Sequence, residues 1–286
     1  MFALGVGAAL LASVLFNVGI ALQGLEARKA PRRLELRPQL LVRLLRNRVW
    51  LLGWFLGLVG IGPQILALDD APFVVVQPAL AVGLLLLLAL GVRAFGEPVG
   101  KPEIAGVLAI VGGVALVAWG APTRTEVQRG FVVVVLVCAA LAVPSLAPFA
   151  VRGTRLDTGM LAIVASGCGF GLTNIVTKLM SDAFSAGHYA ATAAWALVGL
   201  AFGGAATLTG MTAFQRRPAT TVVPVTTAVQ TFLPIVLEPV FLNERWTNAA
   251  LDGAPIAVGL ALAFVGTVLV SRTRAVSALA ASASRS

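Results

Sequence analysis

Glu238 is the residue in this chain whose position asks most for a chemical explanation. It closes an apolar run, six residues before Glu244 and therefore about 9 Å further along a helix. A carboxylate at such a depth must be partnered, protonated or hydrated, because an unpaired charge in hydrocarbon costs several kcal/mol. Two readings stand. Glu238 either ligates a metal cation or carries a coupling proton, or it snorkels to the membrane boundary and pairs with Arg245. At about 100° per residue, Thr220, Thr227, Thr231 and Glu238 fall within roughly 40° of one another on a helix, with Gln230 at their flank. Ser166, Thr173 and Thr177 repeat that spacing, with Asn174 alongside. Asn17, Gln64 and Gln77 place single polar groups in three other apolar runs. Side chains of this kind on facing helices would line a hydrated path through hydrocarbon. The alternative is that the hydroxyls bond back to their own helices or hold neighbouring helices together.

The elements that must carry these groups are membrane helices. Of 286 residues, 58% are hydrophobic and 12% charged, with a mean hydropathy of +0.94. Soluble domains carry roughly twice that share of charge. Disordered chains, secreted disulfide scaffolds and nucleic-acid binders are excluded, the last despite a net charge of +9, because the charge is not spread over a soluble surface. Cys138 and Cys168 both lie inside apolar runs and read as packing residues. The chain has no HExxH and no P-loop, and its only histidine is His188. No enzyme chemistry and no cofactor are expected. His188 and Tyr189 read as interfacial residues at a helix end.

Nine stretches lack Asp, Glu, Lys and Arg: 1–25, 49–68, 71–92, 104–123, 130–151, 158–177, 183–215, 218–237 and 253–271. A spanning helix needs about 20 mostly apolar residues, so each stretch is long enough for one. The expected fold is an all-α polytopic membrane protein of about nine transmembrane helices. The basic residues support this count. With the N-terminus outside, 17 of the 21 lysines and arginines face the cytoplasm, and only Arg124, Arg129, Lys178 and Arg245 lie outside. The expected location is the cytoplasmic (plasma) membrane, N-terminus out and C-terminus in, with an uncleaved first helix. Between the first two runs, residues 26–48 are strongly basic. Pro38 can open a short helix there, with Leu40, Leu41, Leu44 and Leu45 opposite Arg43 and Arg46. This segment reads either as an interfacial helix held by anionic lipid or as a basic loop that sets topology. Residues 273–286 read as a disordered cytoplasmic tail.

The chain also carries an internal repeat. Shifting residues 49–120 by 146 or 147 places Gly53 and Gly57 on Gly199 and Gly203, Pro72 and Pro78 on Pro218 and Pro224, and Glu97 on Glu244. Gly106 then falls on Gly253 and Gly112 on Gly259, while Asn17 faces Asn174 at a shift of 157. The expected division is a first repeat over 1–120, a linker helix within 121–156, and a second repeat over 157–272. Four helices plus one put an odd number of crossings before the second repeat, so the repeats have inverted topology. That arrangement is typical of secondary transporters, with the binding site between the halves.

The segments PFVVVQPALAVGLLLLLALGVRAFGE with IAGVLAIVGGVALV, and PATTVVPVTTAVQTFLPIVLEPVFLNER with GAPIAVGLALAFVGTVLV, resemble the EamA-like repeat of the drug/metabolite transporter superfamily. The opening NVGIALQGLEARKAP and the four-helix first half are similar to the NIPA-type branch, whose members are described as magnesium transporters. The resemblance implies a carrier of a small solute or cation, Mg²⁺ among them, working by alternating access, with a homodimer as a further expectation. Two features depart from the superfamily pattern. Its usual repeat has five helices, one more than either half here, and Glu97 precedes proline where Glu244 precedes arginine. The competing reading is a structural or regulatory membrane subunit that carries nothing.

Overall fold

In hydrocarbon an apolar run has no water to satisfy its backbone, and the α-helix satisfies it internally. The computed structural model describes residues 2–70, 76, 79–97, 99–120, 131–151, 158–242 and 250–283, and among these there is no strand. The helices are α1 (Phe2–Lys29), α2 (Pro38–Leu45), α3 (Arg48–Asp70), α4 (Gly83–Phe95), α5 (Lys101–Gly120), α6 (Phe131–Ala150), α7 (Thr158–Ser185), α8 (Tyr189–Arg216), α9 (Ala219–Leu242) and α10 (Ala254–Ala283). Short 3₁₀ turns occupy Arg32–Leu34 and Ala250–Gly253.

Among the described residues, seven helices are long and apolar enough to cross a membrane: α1, α3, α5, α6, α7, α8 and α10. Ala79–Arg93 and Ala219–Leu233 are shorter apolar helices at the third and eighth runs. The chain is therefore an all-helical membrane protein with seven helices of spanning length among the described residues. The third of the nine runs counted from charge lies partly outside those residues, as do the side chains of the eighth after Leu233. In the third run the described residues are Val76 and those from Ala79 on, with a one-residue turn at Val82 before α4. α10 continues helically to Ala283, through the stretch read as a disordered tail. Nothing between Thr267 and Ala283 is glycine or proline, and alanine has the highest helix propensity.

Helices pair by close backbone approach. α1 packs along α3, α7 along α8, and α5 along α10, with α4 and α9 between these pairs and α6 against α7. Glycine permits the tightest of these contacts. A Cβ at Gly113 would sit 2.5 Å from the Gly259 carbonyl oxygen, and a Cβ at Gly259 2.7 Å from that of Gly113. Gly106 and Gly266 face each other the same way, so α5 and α10 run antiparallel with glycines at seven-residue spacing in both. Membrane helices gain most from such van der Waals contact, since lipid offers no hydrophobic drive between them.

The helix ends that carry Arg28, Arg93 and Arg216 gather at one end of the bundle, called here the basic end. The largest buried cluster lies toward it. Ala21, Ala27, Leu40, Leu44 and Trp50 from the first part of the chain meet Leu208, Met211, Phe214 and Val222 from the second. Local capping fixes the chain there. Asn47 accepts the N–H groups of Val49 (2.8 Å) and Trp50 (3.1 Å) at the start of α3. Glu103 accepts the Gly100 N–H at 2.9 Å at the start of α5. Pro38 opens α2, whose Leu40 and Leu44 are buried in the protein while Arg43 and Leu45 are exposed.

Candidate functional site

Two layers of polar groups lie in the bundle, one near mid-helix and one at the basic end. The mid-helix layer begins beside the one-residue turn at Val82, where the backbone dihedrals stay helical. Ser13 of α1 donates its hydroxyl to the Leu80 carbonyl there at 2.6 Å. Asn17, one turn further along α1, is buried and donates to the Ser13 carbonyl at 2.8 Å. Gly83 makes room for both, because a Cβ there would collide with the Asn17 amide and the Ser13 hydroxyl. Ala81, beside that turn, shares a buried cluster with Ala228 and Phe232 of α9. At that level α9 carries Thr226, Thr227, Gln230 and Thr231, all half-buried. The Thr226 hydroxyl is buried with no partner among the described residues. α7 joins the layer where Gly167 abuts Val229 and the Thr226 carbonyl.

The sequence-derived candidates divide on this geometry. Asn17, Thr227, Gln230 and Thr231 belong to the mid-helix layer, and Ser166 adjoins it through Gly167. The Ser166 hydroxyl, however, is occupied, donating to the Ala206 carbonyl of α8 at 2.9 Å. Thr173 and Thr177 donate to carbonyls one turn back in α7, at 2.8 Å each, and Asn174 is exposed. Gln64 is half-buried on α3. Gln77 lies outside the described residues, as does the Glu238 side chain, although the α9 backbone at Glu238 is helical. No group of three or more His, Cys, Asp or Glu could hold a metal among the described residues.

The second layer centres on Glu97, which the sequence marks only as the counterpart of Glu244 in the repeat. It is buried and caps a helix distant in sequence. Gly96 at φ +61 ends α4 in the left-handed conformation, and the Glu97 N–H closes on the Gly91 carbonyl at 2.9 Å. That turn aims the carboxylate at the start of α9. There it accepts the Ala219 N–H (2.8 Å), the Thr220 N–H (3.0 Å) and the Thr220 hydroxyl (2.6 Å). Arg28, at the end of α1, pairs with the same carboxylate and reaches the Arg217 carbonyl at 3.3 Å. Burial alone would push the Glu97 carboxyl up. The Thr220 hydroxyl and N–H, the Arg28 guanidinium and the Ala219 N–H outweigh it and hold the carboxyl below its ordinary 4.5. The helix dipole acts in the same direction.

Around this centre the two parts of the chain are tied repeatedly. Gln215 donates to the Ala30 carbonyl at 3.0 Å, and Thr212 accepts the Leu36 N–H at 3.1 Å. Arg216 grips one Glu35 oxygen through Nε (2.9 Å) and Nη2 (2.6 Å). Buried Glu26 takes Lys29 and Asn47 on its two oxygens, at 2.5 and 2.6 Å. Signals for some of these existed in the sequence. Ser13 stands one helical turn before Asn17, and Gly-Glu after an apolar helix is a C-cap followed by a charge. The partnership of Glu97 with Ala219 and Thr220, 122 and 123 residues away, had none.

The chain matches no protein-family model, no curated protein and no solved structure.

Proposed function

We propose that the protein is a secondary carrier built from two inverted halves, moving a small solute or cation by alternating access in the cytoplasmic membrane. The contact between α5 and α10 supports this most directly. Gly106 meets Gly266 and Gly113 meets Gly259, so exchanging the two helices reproduces the same contact, as a two-fold axis between antiparallel equivalents requires. The exchange puts Gly106 on Gly259, six residues beyond the register read from Glu97 and Glu244. The offset has a simple origin: α5 starts four residues after Glu97, whereas α10 starts ten after Glu244. The pairing within each half fits the same relation, with α1 and α3 corresponding to α7 and α8, and α4 to α9, while the contact of α1 with α8 has no counterpart between α3 and α7. The linker is α6.

In this reading the mid-helix layer is the path of the solute. Ser13, Asn17, Thr226, Thr227, Gln230 and Thr231 line it, with the Leu80 carbonyl, which accepts the Ser13 hydroxyl, beside them. Ser166, Thr173, Asn174, Thr177, Gln64 and Gln77 are further candidates along it. Glu238 is the proposed cation ligand or proton carrier. Magnesium keeps several waters and takes one or two carboxylates, so a path with a single acid and many neutral oxygens suits a partly hydrated ion. The basic end is cytoplasmic, by the distribution of lysine and arginine, and Glu97 with Arg28 closes the path there.

The test is flux in liposomes reconstituted with the purified protein, across a panel of divalent cations and small neutral or cationic metabolites. Saturable uptake of one class, abolished by Asn17→Ala or Glu238→Gln in correctly folded protein, is the expected result. If no solute moves, the non-carrying membrane subunit becomes the better reading. Reporter fusions at positions 1, 97, 244 and 286 should lie outside, inside, outside and inside. Positions 97 and 244 on one side would break the inverted repeat.

A further inference from the structure

Beside the Glu97 centre, the basic end holds a cavity of about 240 Å³ lined by Arg32, Arg33, Glu35, Leu36, Thr158, Thr212 and Arg216. Its walls come from three places: the segment before α2, the first residue of α7 and the last turns of α8. Arg32 and Arg33 are exposed and take part in no ion pair among the described residues. Glu35 spends its charge on Arg216, which holds only one of its two oxygens. Two guanidinium charges are therefore left without a counter-ion at the cavity. Within it two buried polar atoms lack partners among the described residues, the Thr158 hydroxyl and the other Glu35 oxygen, Oε1. An unpartnered buried polar atom is costly, and two in one lined cavity point to a missing ligand. Leu36, in the wall of the cavity, holds the left-handed φ +53 and gives its N–H to the Thr212 hydroxyl.

We infer that this cavity binds a phosphate group that carries a hydrogen-bond donor. Adjacent arginines are the preferred partners of phosphate, through parallel N–H donors in a fixed fork. The Thr158 hydroxyl donates to a further phosphate oxygen. Glu35 Oε1 then needs a donor, which an O–H on the phosphate itself or on its ester substituent supplies. A bare cation would meet the two uncompensated guanidinium charges, so the field selects anions. The ligand chemistry is shared by a phospholipid headgroup with hydroxyls, reaching in from the inner leaflet, and by a free phosphate or small phosphate ester. Because the walls come from both sides of the chain, the bound phosphate struts the first helical pair against α7 and α8. The site stands independently of whether the protein carries a solute.

The experiment is thermal unfolding and native mass spectrometry of the full-length protein, purified in delipidating detergent. Three probes are added separately: phosphatidylglycerol, phosphatidylcholine as a phosphate without a donor, and inorganic phosphate. Arg32→Gln/Arg33→Gln removes the cavity charges. Arg43→Gln/Arg46→Gln removes the same charge from exposed positions on and beside α2, outside the cavity. Thr158→Val keeps volume and loses only the hydroxyl. Stabilisation by phosphatidylglycerol alone assigns the lipid headgroup, and stabilisation by inorganic phosphate assigns a soluble phosphate. In either case phosphatidylcholine should be inert. Binding should weaken about tenfold or more in the cavity pair and several-fold in Thr158→Val, while the α2 pair stays near wild type. Equal losses in the two arginine pairs would reduce the effect to surface charge and overturn the site, as would the absence of any shift with all three probes.

Discussion

The two helical hairpins α1/α3 and α7/α8 pack internally in the same manner but end differently. The tip of the first, between α1 and α3, spans eighteen residues and includes the turn at Arg32–Leu34 and α2. It lies on the second half, held through Gln215, Thr212 and Arg216 of α8. The tip of the second hairpin, between Ser185 and Tyr189, is a short turn whose Phe184 and Tyr189 rings meet each other edge-on at 6.0 Å. α8 records the contrast along its own length. Every residue buried in it lies between Ala206 and Gln215, and none lies between Tyr189 and Ala205. The clusters agree: the basic-end core mixes residues from both halves, whereas Ala9, Ala67, Val76 and Ala79 at the other end come from the first half alone. α1 packs against α8, but α3 has no comparable contact with α7. Two hairpins with the same pairing and opposite ends are thus fastened to each other at the basic end, while toward the other end the halves meet through α5 and α10, where Gly120 abuts Ile256. On the proposed carrier reading, the hairpin contact closes the path toward the cytoplasm.

The contrast is broken most strongly at Glu97. Replacing it with alanine leaves Arg28 without its carboxylate and the first N–H groups of α9 without an acceptor. Removing one partner of a fully buried ion pair costs about 3–5 kcal/mol, and with Glu97 buried but Arg28 26% exposed the cost should lie at or below the lower end of that range. The expected result is a large fall in melting temperature, or, where the bundle survives, opening of the basic end. A cysteine introduced at Phe214, 3% exposed in this structure, would then react with a water-soluble maleimide. A label that stays excluded in a folded Glu97→Ala protein would show that this contact does not fasten the end. A control on the second hairpin, Asn174→Ala, should change stability by no more than about 0.5 kcal/mol, since Asn174 is exposed.

Acid sharpens the same comparison. The Glu97 carboxyl lies below 4.5 in the folded protein, so it holds fewer protons there than in the unfolded chain near that pH. Its contribution to stability is complete above 4.5 and is lost as pH falls through the lowered folded value. Wild-type stability should therefore drop on acidification below 4.5, and Glu97→Gln should show a shallower drop. Parallel pH curves for the two proteins would mean that Glu97 is not the group responsible.

How far the sequence reached depends on the range of the interaction. Membrane helices were legible because hydrophobicity and length are properties of contiguous residues. Gly106 and Gly112 of α5 were legible as repeat landmarks on Gly253 and Gly259, but the facing pairs Gly106–Gly266 and Gly113–Gly259 were not, since six extra residues before α10 shift the register. Thr173 and Thr177 carry the spacing of a polar stripe. Hydroxyls one turn from a free-standing carbonyl satisfy themselves locally, though, and spacing cannot separate that from a path. Glu97 shows the reverse case. Its symmetry with Glu244 suggested a repeat landmark, while its chemistry depended on α9, which only the folded chain brings within hydrogen-bonding distance.

Thr212 and Thr177 isolate the smallest part of the contrast. Both hydroxyls donate to a carbonyl one turn back in the helix, at 2.9 and 2.8 Å, so that bond is common to the two sites. Thr212 is fully buried and also accepts the Leu36 N–H from the first hairpin's tip, whereas Thr177 is exposed. Substituting valine keeps the shape in both places and removes the hydroxyl. At Thr212 it also strands a buried backbone N–H, which costs about 1–3 kcal/mol. At Thr177 it loses only a local bond that α7 does not need, so the change should stay within about 0.5 kcal/mol. The difference between the two variants, read as melting temperatures in one detergent, measures what the tip of the first hairpin contributes to holding the basic end. Equal effects would mean that the Leu36 contact adds nothing, and that packing around Phe214 alone carries the closure.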